Sequence, residues 1–406
     1  MHVPDGFIDA PVSAAAGAVA AAAVAVSLRG TRRELSDRTA PLAGLVAAFV
    51  FAVQMLNFPV AAGTSGHLLG GALAAILVGP YTGVLCVCVV LLMQGVLFAD
   101  GGLTALGVNI TDMALVTTVV AYAVFRGLVR LLPRGRRAVT AASFAAALLS
   151  VPAAAVAFTA LYALGGTTEV ATGKVFTAMV GVHVLIGVGE AAITALTVGA
   201  VAAVRPDLVH GARGLTRPLQ LRTVPAAVPA APRPAAPRAG EAGTGRPPVA
   251  DTPSEVTAPA PAAVRDDAGP GAPAARPRST RRVWLAGLAA ALACAGVLSY
   301  YASSSPDGLE KVARDKGIDA REEAHAAKDS PLADYGVKDV VDARLSGGLA
   351  GVIGVGATLA VGSGVFVVVR RRRPAPAPTA PAAASPAAPA ASAAAQVAPA
   401  RDAEAV

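Results

Sequence analysis

The residues with the clearest chemistry are the first two of the chain, Met1 and His2, together with His67. The terminal amine, the Met1-His2 amide nitrogen once deprotonated, and Nδ1 of His2 close fused chelate rings and place three nitrogens near one plane. A fourth nitrogen completes a square, and such donors favour Ni(II) or Cu(II), with Co(II) close to nickel in affinity. Taken alone, His2 is more often an ordinary surface residue. The chelate is therefore predicted only if the chain supplies the fourth donor.

His67 is the candidate for that donor. It ends the segment GTSGH, residues 63–67, immediately before a short apolar run. Substrate sites are often built where a short or broken helix meets a membrane cavity. Polar residues at membrane depth usually have a functional role. We therefore predict Met1, His2 and His67 as metal ligands. The alternative is that His67 is a packing residue.

The composition predicts an integral membrane protein. Of 406 residues, 54% are hydrophobic and 15% are charged, and the mean hydropathy is +0.59. The net charge of +8 comes from arginines in loops and tails without interleaved aromatics. Membrane topology explains such arginines better than nucleic acid does. Three cysteines lie in apolar runs and are interpreted as small apolar residues rather than a disulfide framework or a Cys-x-Cys metal site: Cys86, Cys88 and Cys294.

Apolar runs and arginine clusters predict the topology. The runs are 10–28, 41–60, 68–78, 84–98, 104–125, 138–164, 175–204, 283–301 and 349–369. The run 68–78 is shorter than the roughly 20 residues that a spanning helix needs. If it still counts as a crossing, all four arginine clusters fall on one side, which the positive-inside rule makes cytoplasmic. We therefore predict nine crossings in the cell membrane, with an external N-terminus and a cytoplasmic C-terminus. No basic residue precedes the first run, so it is expected to be retained rather than cleaved as a signal peptide.

The predicted fold class is all-α, a polytopic helical membrane protein. A seven-helix bundle occupies residues 1–204, and a two-helix module occupies 282–373 with an external polar block at 303–345. Residues 205–281 and 374–406 are rich in Pro and Ala and are predicted to be disordered and cytoplasmic. The pattern is typical of two subunits fused into one chain.

Other polar residues near or within the apolar runs are predicted to lie around the site or along a pathway. They are Gln54, Asn57, Ser65, Asp112, His183 and Glu190. Gln54 and Asn57 are close enough to the predicted site to orient a ligand. His183 and Glu190 share one helical face, where a structural hydrogen-bond network is favoured over a cation path. Asp100, beside two glycines, is interpreted as a turn residue.

Absent motifs exclude several enzyme classes. The sequence contains no GxxxxGK[ST], HExxH or GxSxG, and its five histidines show no catalytic spacing. The chain is therefore predicted to be neither a P-loop ATPase nor a membrane hydrolase, and to need no cofactor.

Several segments together resemble the CbiM/NikM family, the substrate-binding membrane subunits of cobalt and nickel energy-coupling factor transporters. They are MHVPDG (1–6), QMLNFPV (54–60), GTSGH (63–67), LFADGGLTALG (97–107) and HVLIGVGE (183–190). The resemblance covers about residues 1–204. The segment PDGLE, residues 306–310, resembles a motif of the small CbiN/NikN-type accessory subunit, and that resemblance covers about 283–373.

The resemblance implies a near square-planar metal site made of the terminal amine, the backbone amide and side chain of the second residue, and the GTSGH histidine. In this sequence these are Met1, His2 and His67. It also implies partners: a coupling transmembrane subunit and cytoplasmic ATPase subunits, in membrane lipid and without nucleic acid. Cobalt taken up in this way would serve cobalamin biosynthesis. The family pattern has an uncharged pair where Thr111 and Asp112 stand here, so it assigns Asp112 no role.

Two other functions stay open from the residues. One is a secondary, ion-coupled metal permease in which Asp112, His183 and Glu190 form a proton or cation relay. The other is a membrane-anchored interaction protein that binds its partner through residues 303–345. The sequence does not decide between nickel and cobalt, because both accept the same donors.

Overall fold

The computed structural model describes residues 1–35, 40–61, 63–213 and 280–371. Its helices are α1 (Ala10–Glu34), α2 (Ala40–Gln54), α3 (Gly71–Val78), α4 (Pro80–Leu97), α5 (Leu106–Asn109), α6 (Thr117–Leu131), α7 (Arg136–Gly165), α8 (Thr172–Val204), α9 (Arg281–Gly296), α10 (Gly308–Lys316) and α11 (Ala343–Arg371). A π-helical segment, Ile110–Val116, joins α5 to α6, and two strands, β1 (Phe58–Ala61) and β2 (Thr64–Gly66), follow α2. The 374–406 tail and most of the predicted linker lie outside the described residues.

Seven of the described helical segments are long and apolar enough to cross a membrane. They are Ala10–Glu34, Pro80–Leu97, Leu106–Leu131, Arg136–Gly165, Thr172–Val204, Arg281–Tyr301 and Ala343–Arg371. Large apolar side chains such as Leu164 and Leu196 are exposed on their outer surfaces, as expected for helices that face lipid. The predicted all-α, polytopic membrane fold is confirmed.

The chain has two opposite polar faces. α1 ends with Arg32 and Arg33 in its last turn. The neighbouring Glu34 carboxylate accepts hydrogen bonds from the first N–H groups of α4, at 3.2 Å from Tyr81 and 2.8 Å from Thr82. The end of α1 and the start of α4 therefore share one face, called the arginine face. The opposite face carries the start of the chain and is called the site face.

The short apolar run after His67 connects these two faces without a full-length helix. Residues 67–70 are not helical, and α3 has only eight residues, about 12 Å of helix. His67 contacts Met1 at the site face, whereas Gly79 lies against Glu34 at the arginine face. All residues of α3 are buried. Protein rather than lipid therefore surrounds this segment, which is the condition under which irregular backbone is tolerated at membrane depth.

The sequence had suggested one continuous helix over the apolar run 41–60, but the structure has a shorter one. α2 ends at Gln54, and its 15 residues span about 22 Å. β1 then pairs antiparallel with β2, with Pro59 opposite Ser65. Pro59 has no N–H to donate to a helix and restricts the residue before it to extended backbone. The resulting hairpin brings the GTSGH segment back to the end of α2.

The first nine residues fold inward instead of continuing α1 outward. Asp9 caps α1 by accepting from Val12 N–H at 2.9 Å, and its own N–H donates to the Gly165 carbonyl at 2.7 Å. This cap stops the helix, and the preceding residues turn back over the bundle. Met1 is 2% exposed and Val3 is fully buried. The chain start is therefore held inside the site face.

The C-terminal module packs on the N-terminal bundle through α9 and α11, which both contact α2. Small residues allow close approach: a Cβ built on Gly44 of α2 would lie 2.3 Å from Ser363 Oγ of α11. The polar residues between α9 and α11 cover the site face.

One part of the predicted linker is folded. Residues 205–213, assigned to a disordered segment, form two 3₁₀ turns, Pro206–Leu208 and His210–Ala212. Leu208, Val209 and Ala212 are buried. The expectation of disorder is therefore wrong here, because these three apolar side chains pack against the bundle at the arginine face.

Candidate metal-binding site

The Met1 amine lies in a buried cluster of possible metal ligands, called the donor cluster, which consists of Met1, His2, His67 and Asp307. It contacts Nε2 of His67 within hydrogen-bonding distance and donates to Oδ2 of Asp307 at 2.6 Å. The same Oδ2 is 3.4 Å from Nε2 of His67. Burial alone would raise the pKa of Asp307, but the Met1 ammonium and His67 outweigh it and hold that pKa well below its usual range. Asp307 is therefore a charged carboxylate beside the amine.

The His2 ring stacks on the His67 ring, with centroids 5.0 Å apart. Its Nδ1 is 3.2 Å from Oδ1 of Asp100, and its Nε2 is 3.1 Å from Oε1 of Gln94. Burial lowers the pKa of His2 to about 4, although Asp100 opposes the shift. A neutral imidazole carries a single N–H. One His2 nitrogen therefore keeps a lone pair that can bind a cation.

The two residues that hold His2 are joined through a tyrosine of the C-terminal module. Gln94 Nε2 donates to the Tyr335 hydroxyl at 2.9 Å, and that hydroxyl donates to Oδ2 of Asp100 at 2.5 Å. Burial, followed by the nearby Asp100 charge, raises the pKa of Tyr335 well above its usual range. The hydroxyl therefore remains a donor. Interpreting Asp100 only as a turn residue was incomplete, because its carboxylate faces His2 and Tyr335.

The residues after His2 are anchored to the N-terminal bundle. Val3 N–H donates to Asn109 Oδ1 at 2.7 Å, and Asn109 Nδ2 donates back to the Val3 carbonyl at 3.1 Å. Asp5 accepts from the Thr104 N–H and hydroxyl at 2.8 and 2.5 Å. These bonds tie the MHVPDG segment to the LFADGGLTALG segment and fix how far the amine enters the bundle.

His67 is held from the side opposite the amine. Its Nδ1 donates to the Leu68 carbonyl at 3.0 Å, which leaves the Nε2 lone pair facing the amine. Glu190 accepts from the N–H groups of Leu69 and Gly70 at 2.7 and 3.2 Å. Gln54 Nε2 donates to the Leu69 carbonyl at 2.9 Å. Glu190 and Gln54 therefore support the irregular backbone that carries His67.

The PDGLE motif places Asp307 in the cluster. Asp307 caps α10 through a capping box, in which its Oδ1 accepts from Glu310 N–H at 2.8 Å and Glu310 Oε2 accepts from Asp307 N–H at 3.2 Å. A Cβ on Gly308 would lie 2.8 Å from Ile186 of α8, so glycine is what allows this close approach. Leu309 is 1% exposed and anchors the helix.

Two predicted site residues bind the C-terminal module instead of the donor cluster. The Asn57 carbonyl accepts from Ser303 N–H at 2.7 Å. The Ser65 hydroxyl donates to the Ser305 carbonyl at 2.7 Å. In this structure both residues hold the module against the site face.

Asp112 and His183 make no hydrogen bond to the donor cluster. Asp112 lies in the π-helical segment, fully buried, and neither carboxylate oxygen has a partner among the described residues. His183 bonds through Nδ1 to the Met179 carbonyl of its own helix at 2.7 Å, and within the described part of the chain its Nε2 has no partner. His183 and Glu190 thus bond to separate groups.

The donors form the wall between two cavities at the junction of the modules. A cavity of about 800 Å³ lies on the side of Asn57 and Tyr335. A second, of about 340 Å³, lies on the side of Asp5 and His325. His2, Asp100 and Asp307 line both.

Sequence reasoning missed four residues of this site: Gln94, Asp100, Asp307 and Tyr335. Gln94 had a readable signal, because it is a polar residue inside the apolar run 84–98. Asp307 stood in the PDGLE motif, which the sequence analysis singled out without assigning its carboxylate to the site. Tyr335 had no signal beyond its place in the polar block, since the roles of both residues depend on how two distant segments dock.

The donor chemistry suits a transition-metal cation. The ligand atoms of His2, His67 and Asp307 all lie within 4.8 Å of one another, and the Met1 amine lies among them. Imidazole and amine nitrogens suit nickel, cobalt, copper or zinc rather than magnesium or calcium. The molecule is thus a multi-pass helical membrane protein with a buried, nitrogen-rich pocket at one face.

Comparison with known families agrees with a multi-pass membrane protein of this kind. The CbiM family model, described as "Cobalt uptake substrate-specific transmembrane region", matches residues 2–208, and a PDGLE domain model matches residues 281–371. The chain belongs to the CbiM family and carries a PDGLE domain after it. Membership of this family confirms that the chain is a transport component and not an enzyme.

Individual proteins are also similar to this chain. The chain is 41% identical over 211 residues to a protein of Haloquadratum walsbyi, covering 52% of this chain and 93% of that one. It is 42% identical over 125 residues to the fused nickel transport protein NikMN of Rhodobacter capsulatus, covering 31% of this chain and 36% of that one. A crystal structure of a transition metal transporter is 28% identical, with a TM-score of 0.45, and the match covers 50% of this chain and 93% of that one.

Proposed function

We propose that this chain captures Co(II) or Ni(II) at the outer face of the membrane, as the substrate-specific component of an ATP-driven energy-coupling factor transporter. One observation carries the proposal: the Met1 amine contacts Nε2 of His67 next to the His2 ring, in a buried pocket. The family description names cobalt, and a fused relative is named for nickel.

The proposed ligands are the Met1 amine, the Met1-His2 amide nitrogen, one imidazole nitrogen of His2 and Nε2 of His67. The cation takes the place of one proton on the Met1 ammonium and of the proton on the amide nitrogen, so binding releases protons. Asp100 competes for Nδ1 of His2, because its Oδ1 lies 3.2 Å from that nitrogen. The chelate therefore closes when the His2 ring turns from Asp100 toward the amine. It requires Met1 to be the uncapped first residue of the mature protein.

The arginine face is proposed to be cytoplasmic, which makes the site face external. Because the sequence has no P-loop, ATP hydrolysis is assigned to separate cytoplasmic ATPase subunits, linked through a coupling transmembrane subunit. Cobalt imported in this way would supply cobalamin biosynthesis. The transported ion is the substrate of the chain, and no resident cofactor is proposed.

Metal binding by the purified protein tests the proposal. The chain is placed in lipid nanodiscs, its N-terminus is verified by intact mass, and Ni(II) and Co(II) affinities are measured by competition with a chromophoric chelator. The variants are His2→Ala, His67→Ala and an extra glycine before Met1, which moves the amine by about 3.5 Å. Each is expected to lose at least about 100-fold in affinity, because it removes or displaces a ligand.

His325→Gln is the matched control. His325 lines the smaller cavity and bonds to the Gly101 carbonyl at 3.1 Å, but it lies outside the donor cluster. It is expected to bind metal like the unaltered chain. Full affinity in the extended variant would refute the chelate, and absence of metal binding by the unaltered chain would refute the proposed function.

A secondary permease is the second candidate, and one observation favours it. The Asp112 carboxylate is fully buried with no partner among the described residues, as expected of a relay group that exchanges a proton or cation. Proteoliposomes containing only this chain distinguish the two. Metal uptake driven by a proton gradient, and lost in Asp112→Asn, would favour the permease. No uptake without ATPase partners is expected from the leading proposal.

A further inference from the structure

We infer that the Asp307 carboxylate of the PDGLE domain is an additional, axial ligand of the captured cation, so that both modules hold the ion together. The inference rests on the proposed function, because it requires Met1, His2 and His67 to bind the same ion. It extends that function by making the C-terminal module part of the binding site.

Distances between the donor atoms support the assignment. Oδ2 of Asp307 is 2.6 Å from the Met1 amine and 3.4 Å from Nε2 of His67, and these two nitrogens contact each other. Two neighbouring ligands, each about 2.1 Å from an ion, lie about 3 Å apart. The distances from the carboxylate oxygen to the two nitrogens lie on either side of this value, so Oδ2 is placed as a neighbouring ligand of the same ion would be. If the nitrogens lie in the equatorial plane, the carboxylate oxygen occupies an axial position.

The two carboxylate oxygens of Asp307 have separate tasks. Oδ1 accepts the Glu310 N–H at 2.8 Å and caps α10. Oδ2 faces the Met1 amine and His67. The cap fixes the rotamer of Asp307, so Oδ2 is held facing the Met1 amine and His67. An amide at this position would keep the cap but carry no charge.

Hydrogen bonds between the modules fix Asp307 relative to His67. Ser65, two residues before His67, donates its N–H to the carbonyl of Pro306 at 2.8 Å. Its hydroxyl donates to the carbonyls of Ser305 and Pro306 at 2.7 and 3.2 Å. Pro306 immediately precedes Asp307. The two ligand-bearing segments are therefore paired directly through their backbones.

Packing behind Asp307 keeps the carboxylate pressed into the pocket. A Cβ on Gly308 would lie 2.8 and 2.9 Å from Ile186 and Val182 of α8, so the chain after Asp307 lies flat on that helix. Leu309 is buried beside it. Asp307 also lines both cavities that lead to the donors. A cation that arrives through either cavity therefore meets this carboxylate.

An axial carboxylate changes the coordination of each metal. Four nitrogens alone favour square-planar Ni(II), whereas an added oxygen makes the ion at least five-coordinate. A fifth ligand is expected to help Co(II) more than Ni(II), because the square plane is a preferred geometry of Ni(II). Removing the carboxylate should therefore lower the Co(II) affinity about tenfold or more. It should lower the Ni(II) affinity by a smaller factor.

X-ray absorption spectroscopy of the full chain in nanodiscs, loaded with Ni(II) or Co(II) alone, tests the inference. The variant is Asp307→Asn, which retains an N-cap acceptor. The control is Glu310→Gln, which lines the same cavities and removes a carboxylate three residues away while keeping a capping-box side chain. In the nickel-loaded samples, the unaltered chain and Glu310→Gln are expected to lack the absorption-edge feature that is typical of square-planar, four-coordinate Ni(II). Asp307→Asn is expected to show it and to lose one light-atom ligand around cobalt.

The outcomes separate the two proposals. A four-nitrogen planar spectrum in the unaltered chain overturns the axial carboxylate while leaving the nitrogen site intact, and this spectrum decides the matter even if Asp307→Asn fails to fold. Identical spectra for the unaltered chain and Asp307→Asn overturn it as well. No metal bound by the unaltered chain overturns the proposed function itself.

Discussion

Ser65 donates both its N–H and its hydroxyl to the carbonyl oxygen of Pro306, at 2.8 and 3.2 Å. These residues are 241 positions apart in the chain and lie in different modules, one in the hairpin that leads to His67 and the other in the loop that leads to Asp307. The junction between the two modules is thus formed at the site itself. Changes to the docking of the modules should therefore also change the positions of His67 and Asp307.

Replacing Ser65 with Ala should loosen the C-terminal module. It removes the hydroxyl bonds to Ser305 and Pro306 but keeps the backbone bond, a loss of about 1–2 kcal/mol in docking. Hydrogen exchange should rise in peptides from 303–316 and stay unchanged in α7. Ser304→Ala, at an exposed position of the same loop, is the control and should change nothing. Equal exchange in both variants would show that the hydroxyl does not hold the module.

Replacing Tyr335 with Phe should weaken metal binding without touching a proposed ligand. The hydroxyl joins Gln94 to Asp100, the two residues that contact the His2 ring. Without it, both side chains gain freedom and the ring is less well oriented. Loss of such a supporting group typically costs about 10–100-fold in metal affinity, measurable by chelator competition. Tyr301→Phe, at a largely exposed tyrosine, should retain full affinity. An unchanged affinity in Tyr335→Phe would mean that Asp100 and Gln94 hold the ring unaided.

Replacing Glu190 with Ala should destabilise the protein. Its carboxylate accepts the N–H groups of Leu69 and Gly70, which would otherwise be buried donors in non-helical backbone. Each buried donor left without an acceptor costs about 1–3 kcal/mol, so a lower midpoint in a thermal unfolding assay is expected.

The control for Glu190 lies one turn further along α8. Thr194 is fully buried, and its hydroxyl has no partner within the described residues. Thr194→Val keeps the shape and removes an unsatisfied polar atom, so its thermal midpoint should be equal or higher. A larger loss in Thr194→Val than in Glu190→Ala would contradict the assigned role of Glu190.

The nitrogen donors were predictable because each belongs to a local signal. A histidine next to the chain start, and another beside a short apolar run, indicate metal chemistry before any fold is known. The structure brings Met1, His2 and His67 together, while their binding of a metal stays a prediction. The apolar runs predicted the membrane-spanning helices for the same reason, since hydropathy is a property of contiguous sequence.

The rest depends on contacts that contiguous sequence does not encode. Asp307 reaches the Met1 amine only because the PDGLE loop docks on the hairpin at Ser65. The end of α2 was obscured because the apolar run continues through Phe58 and Val60, although β1 carries those residues. Hydrophobicity identifies a buried segment, but it does not distinguish a helix from a short strand in such a segment.

Gly101 gives the most direct test that the turn after α4 positions His2. Its φ is +81°, and a Cβ there would lie 3.2 Å from Cβ of His2 and 3.0 Å from Asn109 Nδ2. Gly101→Ala therefore adds backbone strain of about 1–2 kcal/mol and also pushes against the His2 side chain. We expect a lower thermal midpoint together with a loss of metal affinity of about tenfold or more.

Gly63→Ala separates these two effects. Gly63 has a similar φ of +72° but no atom within 4 Å of a built Cβ, so its replacement adds the same kind of strain without a contact at the donors. It should lower the thermal midpoint and leave the chelator-competition affinity unchanged. If both variants lose affinity equally, global destabilisation explains the loss, and the close contact between Gly101 and His2 is not what orients the imidazole.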